Sequence, residues 1–299
     1  MRIVVAIGGN ALLRRGERPD AAPQRRLGAA AAVGLAGLAR EHQVVVVHGN
    51  GPQVGLLALE SGADPTVSEP YPLSDLVAES QGLIGLWLQQ ALLDEGIRDV
   101  VTLVSQTVVD PEDPAFEEPT KFIGQIYDEP TARRLADVHG WAVRADGGGW
   151  RRVVASPLPR DIVELPVAER LLDAGVTVVI AGGGGVPVVD RDHHYESIDA
   201  VVDKDHAAAI AAEMLDADLL LVLTDVEGVI RDFGGPAEKV LREVSVADLS
   251  SMSFPAGSMG PKVASVCAFT RRTGRRSAIG SLDEIVGVLA GTAGTQVRR

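Results

Sequence analysis

Lysine is scarce in this chain. Of 28 basic residues, only Lys121, Lys204, Lys239 and Lys262 are not arginine. Arg serves wherever a solvated cation suffices, so a retained Lys marks a place for a compact ammonium that the broad, planar guanidinium cannot replace. Lys239, in the polar stretch GGPAEKV, reads as chance retention, whereas the other three fall in motifs bearing Gly or Asp. Lys204 lies between two carboxylates in AVVDKDHAAAIAAEML, at the mouth of an Ala-rich helix. Asp203 or Asp205 can cap that helix; alternatively Asp205 fixes the direction of Lys204 as a phosphate-binding cation. Lys262, in PAGSMGPKVASV, sits just inside another helix behind Gly260 and Pro261, where Pro suits the first turn. Two ammonium groups near two helix N-termini would trap a migrating phosphoryl group.

Two glycine turns offer a surface for such a group. The apolar run RIVVAI leads into GGNALL, and QVVVVH leads into GNGPQVG. Gly8, Gly9, Gly49 and Gly51 allow close backbone approach, and N–H groups at the following helix start can receive anionic oxygens. Asn10 and Asn50 add neutral donors. Each trio alone is an ordinary tight turn; its recurrence after two separate strands favours a ligand-holding sheet edge. A third cluster, GGGGVPVV, invites comparison with a dinucleotide fingerprint, but Pro187 and an apolar run follow it where a helix should start. A GxxxxGK[ST] phosphate loop is also missing from the sequence. Thr224 and Asp225 end the run LLLVLT, where they can contact a nucleotide's sugar or base or simply form a turn. His193 and His194 lack companions at metal-ligand spacing and read as surface loop.

These motifs need strands to present them. Short β-branched runs at 2–7, 43–48, 100–104, 176–181 and 219–224 alternate with helical stretches at 21–40, 74–95, 166–174, 205–215 and 261–273. Such alternation predicts an α/β fold whose parallel sheet is covered by helices on both faces. Between 106 and 160 the pattern changes: PEDPAFEEP reads as loop, and WAVRADGGGWRRVVA as two strands around a Gly-rich turn. We read an inserted, lid-like subdomain there, with the remainder forming one continuous sheet. The 299 residues then divide into an N-terminal lobe to about residue 165 and a C-terminal lobe from about 166, within a single domain.

Composition narrows the partner. A net charge of −13 disfavours broad contact with nucleic acid or anionic membrane, so any phosphate must be held by local groups. The single Cys267 sits in an apolar-periodic stretch, which excludes a disulfide framework or cysteine metal cluster and fits a reducing cytoplasm. Arg25 and Arg26 followed by LGAAAAVGLAGLA superficially resemble a secretion signal, but a strand precedes them and the apolar run is too short to span a bilayer. A buried amphipathic helix is expected instead.

Taken together, VAIGGNALL, HGNGPQVG, SQGLIGLWL, TKFIGQIY, ASPLP, AGGGGVPVV, AVVDKDHAA, LTDVEGV and GSMGPKVA resemble the carbamate kinases of the amino acid kinase family, in the family's order and across nearly the whole chain. The resemblance implies a three-layer α/β/α sandwich with a mostly parallel central sheet and a small protruding lid. It further implies a homodimer, ATP/ADP with Mg²⁺, and reversible transfer between ATP and carbamate. Gly8, Gly9, Asn10, Gly49, Asn50 and Gly51 would hold the phosphoryl group and substrate. Lys121, Lys204 and Lys262 would be catalytic, Asp205 would orient the lysines, and Lys121 would reach over from the lid. Nucleotide contacts would fall at Gly183, Gly184, Thr224, Asp225, Met259 and Lys262, with magnesium carried on nucleotide phosphates rather than by protein ligands. The chain departs from the family's TKPxGP-like and SPKP-like segments at Phe122, Gln125 and Leu158, with Arg160 nearby to compensate for the missing lysine. Those departures leave two alternatives: a sister kinase for another small carboxylate, phosphonate or phosphate, or a nucleotide-binding regulator without catalysis.

Overall fold

The computed structural model of the chain describes residues 1–9, 12–13, 17–63, 66, 68–192, 194–254 and 258–299; Asn10 and His193 lie outside them. Its centre is an eight-stranded sheet in the order Glu243–Ser245, Thr295–Arg298, Arg276–Ser281, Leu219–Thr224, Arg2–Ile7, Gln43–His48, Thr177–Val179, Val100–Thr102. All neighbours run parallel except Arg276–Ser281 with Thr295–Arg298. The central strands are apolar throughout because both faces are covered. Val4, Ala6, Val45, Val47, Leu220 and Val222 pack on one side, against helices Leu165–Asp173, Lys204–Met214 and Met259–Thr273. Ile3, Val5, Ile7, Val44, Val46, Leu221 and Leu223 alternate to the other side, against Ala21–Ala39, Leu73–Asp94 and Ile285–Ala290. Each fully buried aliphatic side chain here contributes about 1.5–3 kcal/mol.

The Arg25–Arg26 segment lies within helix Ala21–Ala39, whose Ala31, Ala32, Leu35 and Ala36 are buried in the second core. No described helix is long and apolar enough to cross a membrane.

The expectation of one continuous sheet outside the insertion is corrected. Two strands leave the central sheet together at its edge. Val100–Thr102 and Thr177–Val179 pair within it; beyond a kink the same two chain segments pair again, Gln106 with Val186, in a separate four-stranded sheet. That sheet runs His194–Ser197, Val186–Arg191, Gln106–Val109, Pro159–Ile162. His194 is accordingly an exposed strand residue rather than loop. Ala181 at φ 51° and Gly183, Gly184 and Gly185 at φ 65°, 98° and 85° make the kink. Three consecutive left-handed residues require glycine, and apolar patterning carries no sign of such a break.

The insertion springs from the second sheet between Val109 and Pro159, which are paired. It forms a protruding three-stranded antiparallel sheet, Lys121–Tyr127, Gly149–Val154 and Ala142–Asp146, with the last two as the expected hairpin. Helix Glu129–His139, unforeseen in the sequence, is capped by Asp128, whose side chain accepts from Thr131 N–H, and ends at Gly140 in the left-handed conformation. Near Gly124 the small sheet meets helix Gly51–Ala63 so closely that a Cβ on Gly55 would lie 2.0 Å from Gly124 Cα.

Candidate active site

The carboxyl ends of Arg2–Ile7, Gln43–His48 and Leu219–Thr224, together with the kink after Thr177–Val179, lie on one edge of the central sheet, where parallel α/β sheets hold ligands. Into this edge the N-terminus of helix Lys204–Met214 delivers two carboxylates and a lysine. Asp203 is the N-cap: its Oδ1 accepts from the Asp205 N–H at 2.8 Å, and its Oδ2 accepts from Lys121 Nζ. Asp205, one residue inside the helix, takes two ammonium groups. Lys204 Nζ donates to Oδ1 at 2.8 Å and Lys262 Nζ to Oδ2 at 3.0 Å. Asp203 therefore caps the helix, and Asp205 fixes the direction of Lys204.

Three lysines from three separate elements thus converge on two neighbouring aspartates. Lys121 stands on the protruding sheet, Lys204 at the start of its helix, and Lys262 in the first turn of Met259–Thr273. The Asp205 side chain is 3% exposed and those of Lys204 and Lys262 are little more, whereas Lys121 is 36% exposed. Burial by itself would raise the Asp203 carboxyl, but Lys121, Lys204 and His206 outweigh it and hold the group far below the usual carboxylate range. Burial opposes ionisation of Asp205 too and is overcome by Lys204 and Lys262. Burial lowers the Lys204 ammonium, aided by the like charge of Lys262, while Lys262 is raised because Asp205 outweighs its own burial. Three ammonium groups against two carboxylates leave the cluster one positive charge in excess, a desolvated anion trap inside an acidic protein.

The glycine turns line this cluster in two ways. The N–H groups of Gly8 and Gly49 are committed to the sheet, donating to Leu223 O at 3.0 Å and Ile7 O at 3.1 Å. Gly49 also supplies space: a Cβ there would meet Lys204 Cδ and Gly9 N, each at 3.1 Å. Gly51 is different. A Cβ there would meet nothing within 4 Å, and Gly51 opens helix Gly51–Ala63, where Val54 N–H donates to Asn50 O while the N–H groups of Gly51 and Gln53 precede the first helical hydrogen bond. Gly9 is similarly open, with only Pro52 Cδ at 3.8 Å from its would-be Cβ.

Gly183 and Gly184, in the third glycine cluster, are buried beside the site: a Cβ on Gly183 would fall 2.1 Å from Asn50 Nδ2, and one on Gly184 2.2 Å from Val202 O. Their small size lets Asn50 and the segment leading to Asp203 pack against them. Asn50 Nδ2 spends one of its two hydrogens on Ser80 Oγ at 2.8 Å.

On the other flank, Thr224 Oγ1 donates to Asp225 Oδ1 at 3.0 Å at the end of its strand. Met259 opens the helix that carries Lys262, and with Met252 and Phe254 it packs partly buried against the first core. Leu158 is exposed, its N–H donating to Asp113 Oδ2 at 3.0 Å. Arg160 is ion-paired with Asp110, so the expected compensation by Arg160 is not made through the lysine cluster. Phe122 pairs across strands with Val153, one residue out of phase with Lys121 and therefore on the opposite face, and Gln125 is exposed.

Sequence reading missed four contributors. Asp203 appeared there only as a possible cap, although the DKD motif contains it. Ser80 and Gln81 lie in the quoted segment SQGLIGLWL but carry no chemical signature alone; Gln81 binds Ser105 through two backbone and one hydroxyl contact, each at 3.1 Å, and so braces the kink. His48 is buried, its Nδ1 3.1 Å from Gly49 O, and burial lowers its pKa to about 4 against that bond's opposing effect. At ordinary pH the ring is a neutral strut between the Gly49 and Gly182 turns.

This geometry has close counterparts. The model of the amino acid kinase family matches residues 1–281. A carbamate kinase of Rhizobium meliloti (strain 1021) is 46% identical over 300 residues, 99% of this chain and 92% of that protein. One from Escherichia coli (strain K12) is 47% identical over 294 residues, 98% of each. Among solved structures, carbamate kinase from Giardia lamblia bound to AMP-PNP superposes with a TM-score of 0.90 at 38% identity, covering 99% of this chain and 98% of that one.

Proposed function

The chain belongs to the amino acid kinase family, and from that premise we infer that it is an ATP-dependent phosphotransferase interconverting ATP and carbamate with ADP and carbamoyl phosphate. The observation that carries this reading is the convergence of Lys121, Lys204 and Lys262 on Asp203 and Asp205. A carbamate oxygen is already an anion, so attack on the γ-phosphorus needs no general base; repulsion between anions is the obstacle. The oxygen–phosphorus bond to carbamate forms as the bond to the departing ADP oxygen breaks, in line and in one step. Lys204 and Lys262 meet the charge on the transferring group, and Asp205 fixes both in advance, so little reorganisation accompanies transfer. Cys267 is buried with its thiol pushed up chiefly by burial, and His48 is buried, which favours direct transfer over a covalent enzyme intermediate at either.

The half up to about residue 165 supplies Gly9, Asn50, Gly51 and Lys121 to the acceptor side, and the half from about 166 supplies Thr224, Asp225, Met259 and Lys262 to the nucleotide. Magnesium, when bound, neutralises charge on the nucleotide's β- and γ-phosphates. Asp203 and Asp205 are both engaged by ammonium groups, and among the described residues no group of three or more His, Cys, Asp and Glu could hold a metal. We propose that the cation is carried on phosphate oxygens. Leu83 and Leu86, exposed on the helix over the edge strand Val100–Thr102, support a homodimer through that face. The free Cys267 suits a cytoplasmic location.

The test is ATP formation from Mg-ADP and carbamoyl phosphate. Turnover that falls about 10²- to 10³-fold in Lys204→Ala is expected; a wild-type rate no higher than this variant's would sink the assignment. The lid departures support no separate reading, since Phe122 and Gln125 leave the Lys121 ion pair intact.

A further inference from the structure

Counting hydrogens around Asn50 fixes which end of its amide faces Ser80. Ser80 Oγ donates its one hydrogen to the Val77 carbonyl at 2.8 Å, closing a bond inside its own helix. The same oxygen lies 2.8 Å from Asn50 Nδ2. With its hydrogen spent, Ser80 can only accept from Asn50, so the amide nitrogen must be the end turned toward it. Asn50 Oδ1 is thereby turned away from Ser80. Among the described residues nothing donates to this oxygen, and Asn50 as a whole is 6% exposed. Gly183 packs against the amide, where a Cβ would fall 2.1 Å from Nδ2 and 2.5 Å from Oδ1.

A neutral acceptor therefore stands between Gly49 and Gly51, in a site that also carries donors: the three ammoniums and N–H groups opening helix Gly51–Ala63. Such an oxygen repels phosphoryl and carboxylate oxygens and suits an N–H. Carbamate and carbamoyl phosphate carry an amino group beside their oxygens; acetate and acetyl phosphate carry a methyl group in the same place. We propose that Asn50 is a specificity-determining residue whose Oδ1 accepts a hydrogen bond from the amino group of the carbamoyl moiety, with Ser80 holding the amide in the accepting orientation. The inference rests on the carbamate reading above and deepens it. Sites built to bind a substrate N–H reject the analogue lacking it, because their polar group is then left unpaired.

The experiment compares kcat/KM for ATP formation from Mg-ADP with carbamoyl phosphate and with acetyl phosphate. Asn50→Ala is expected to lower the carbamoyl-to-acetyl ratio about 10- to 100-fold. Asn50→Asp retains an acceptor, so it slows both reactions through its added charge while keeping the ratio within a few-fold. Ser80→Ala frees the amide to turn and lowers the ratio several-fold. An Asn50→Ala protein that loses both activities equally overturns the inference and leaves the kinase reading standing. Should that variant not fold, an unchanged ratio in Ser80→Ala overturns it in the same way. A wild-type chain that turns over neither acyl phosphate overturns the carbamate reading, and this inference with it.

Discussion

Lys204 and Lys262, 58 positions apart in the chain, grip opposite oxygens of the single carboxylate of Asp205, at 2.8 and 3.0 Å. Neither ammonium is free to wander, and each is kept from repelling the other by the charge between them. Asp205→Asn should therefore do more than remove one contact. It leaves two buried cations facing each other, so we expect kcat to fall about 10²- to 10³-fold and stability to drop by about 3–5 kcal/mol. Steady-state kinetics alongside urea unfolding check both; an unaltered unfolding midpoint would contradict the assigned role of the carboxylate.

Lys121 should behave otherwise. It is the most exposed of the three and comes from the inserted sheet, and its buried partner Asp203 still faces Lys204 and His206 when Lys121 is gone. Lys121→Met is expected to reduce kcat about 10²-fold with a smaller loss of stability than Asp205→Asn. Asp203→Asn keeps a cap oxygen for the Asp205 N–H but loosens Lys121. In a double-mutant cycle the two substitutions together should cost clearly less than the sum of each alone. Strict additivity would mean that the ion pair has no part in catalysis.

Most of the frame was legible because it obeys short-range rules. The strands at 2–7, 43–48 and 219–224 stand where alternating burial on both faces demanded apolar runs, and the helix bounds differ from expectation by a residue or two. The lysine cluster was legible because Arg occupies nearly every solvated position, so its three members stood out. What escaped was three-dimensional. The kink at Ala181–Gly185 turns the chain from the central sheet into a second one, and only the fold reveals that Gly183 rests on an amide. Asn50 looked like a donor because a lone Asn has both ends; its partner Ser80 is 30 residues away, and Ser80's own hydrogen is claimed by a helix carbonyl.

The glycines separate ligand space from protein space in a way that can be measured. A methyl group on Gly51 meets nothing within 4 Å, whereas one on Gly183 collides with Asn50 at a φ of 65°. Gly51→Ala should keep the wild-type Tm within about a degree, or gain slightly from helix propensity, while kcat/KM falls at least about 10-fold as the methyl enters the acceptor's space. Gly183→Ala should instead lower stability by at least about 1–3 kcal/mol through backbone strain alone. Full activity in a well-folded Gly51→Ala protein would mean the open space beside the helix start is not where substrate lies.

The last expectation concerns pH and His48. Its folded pKa is near 4 against an ordinary 6.5, because burial disfavours the charged ring more than the Gly49 carbonyl favours it. Between those values the unfolded chain binds the proton and the native chain does not, so protonation favours unfolding. The contribution of the neutral ring is fully present above pH 6.5 and is lost as pH falls toward 4, a span worth about 3 kcal/mol. Asp203 and Asp205 act in a lower window, since their depressed pKa values cost stability only once pH drops below the ordinary carboxylate value. His48→Asn retains a donor for the Gly49 carbonyl but removes the titrating ring. Urea midpoints measured from pH 7.5 to 4.5 should therefore decline markedly less in His48→Asn than in the wild type. Parallel curves for the two proteins over that range would show that His48 is not the group that couples folding to protonation there.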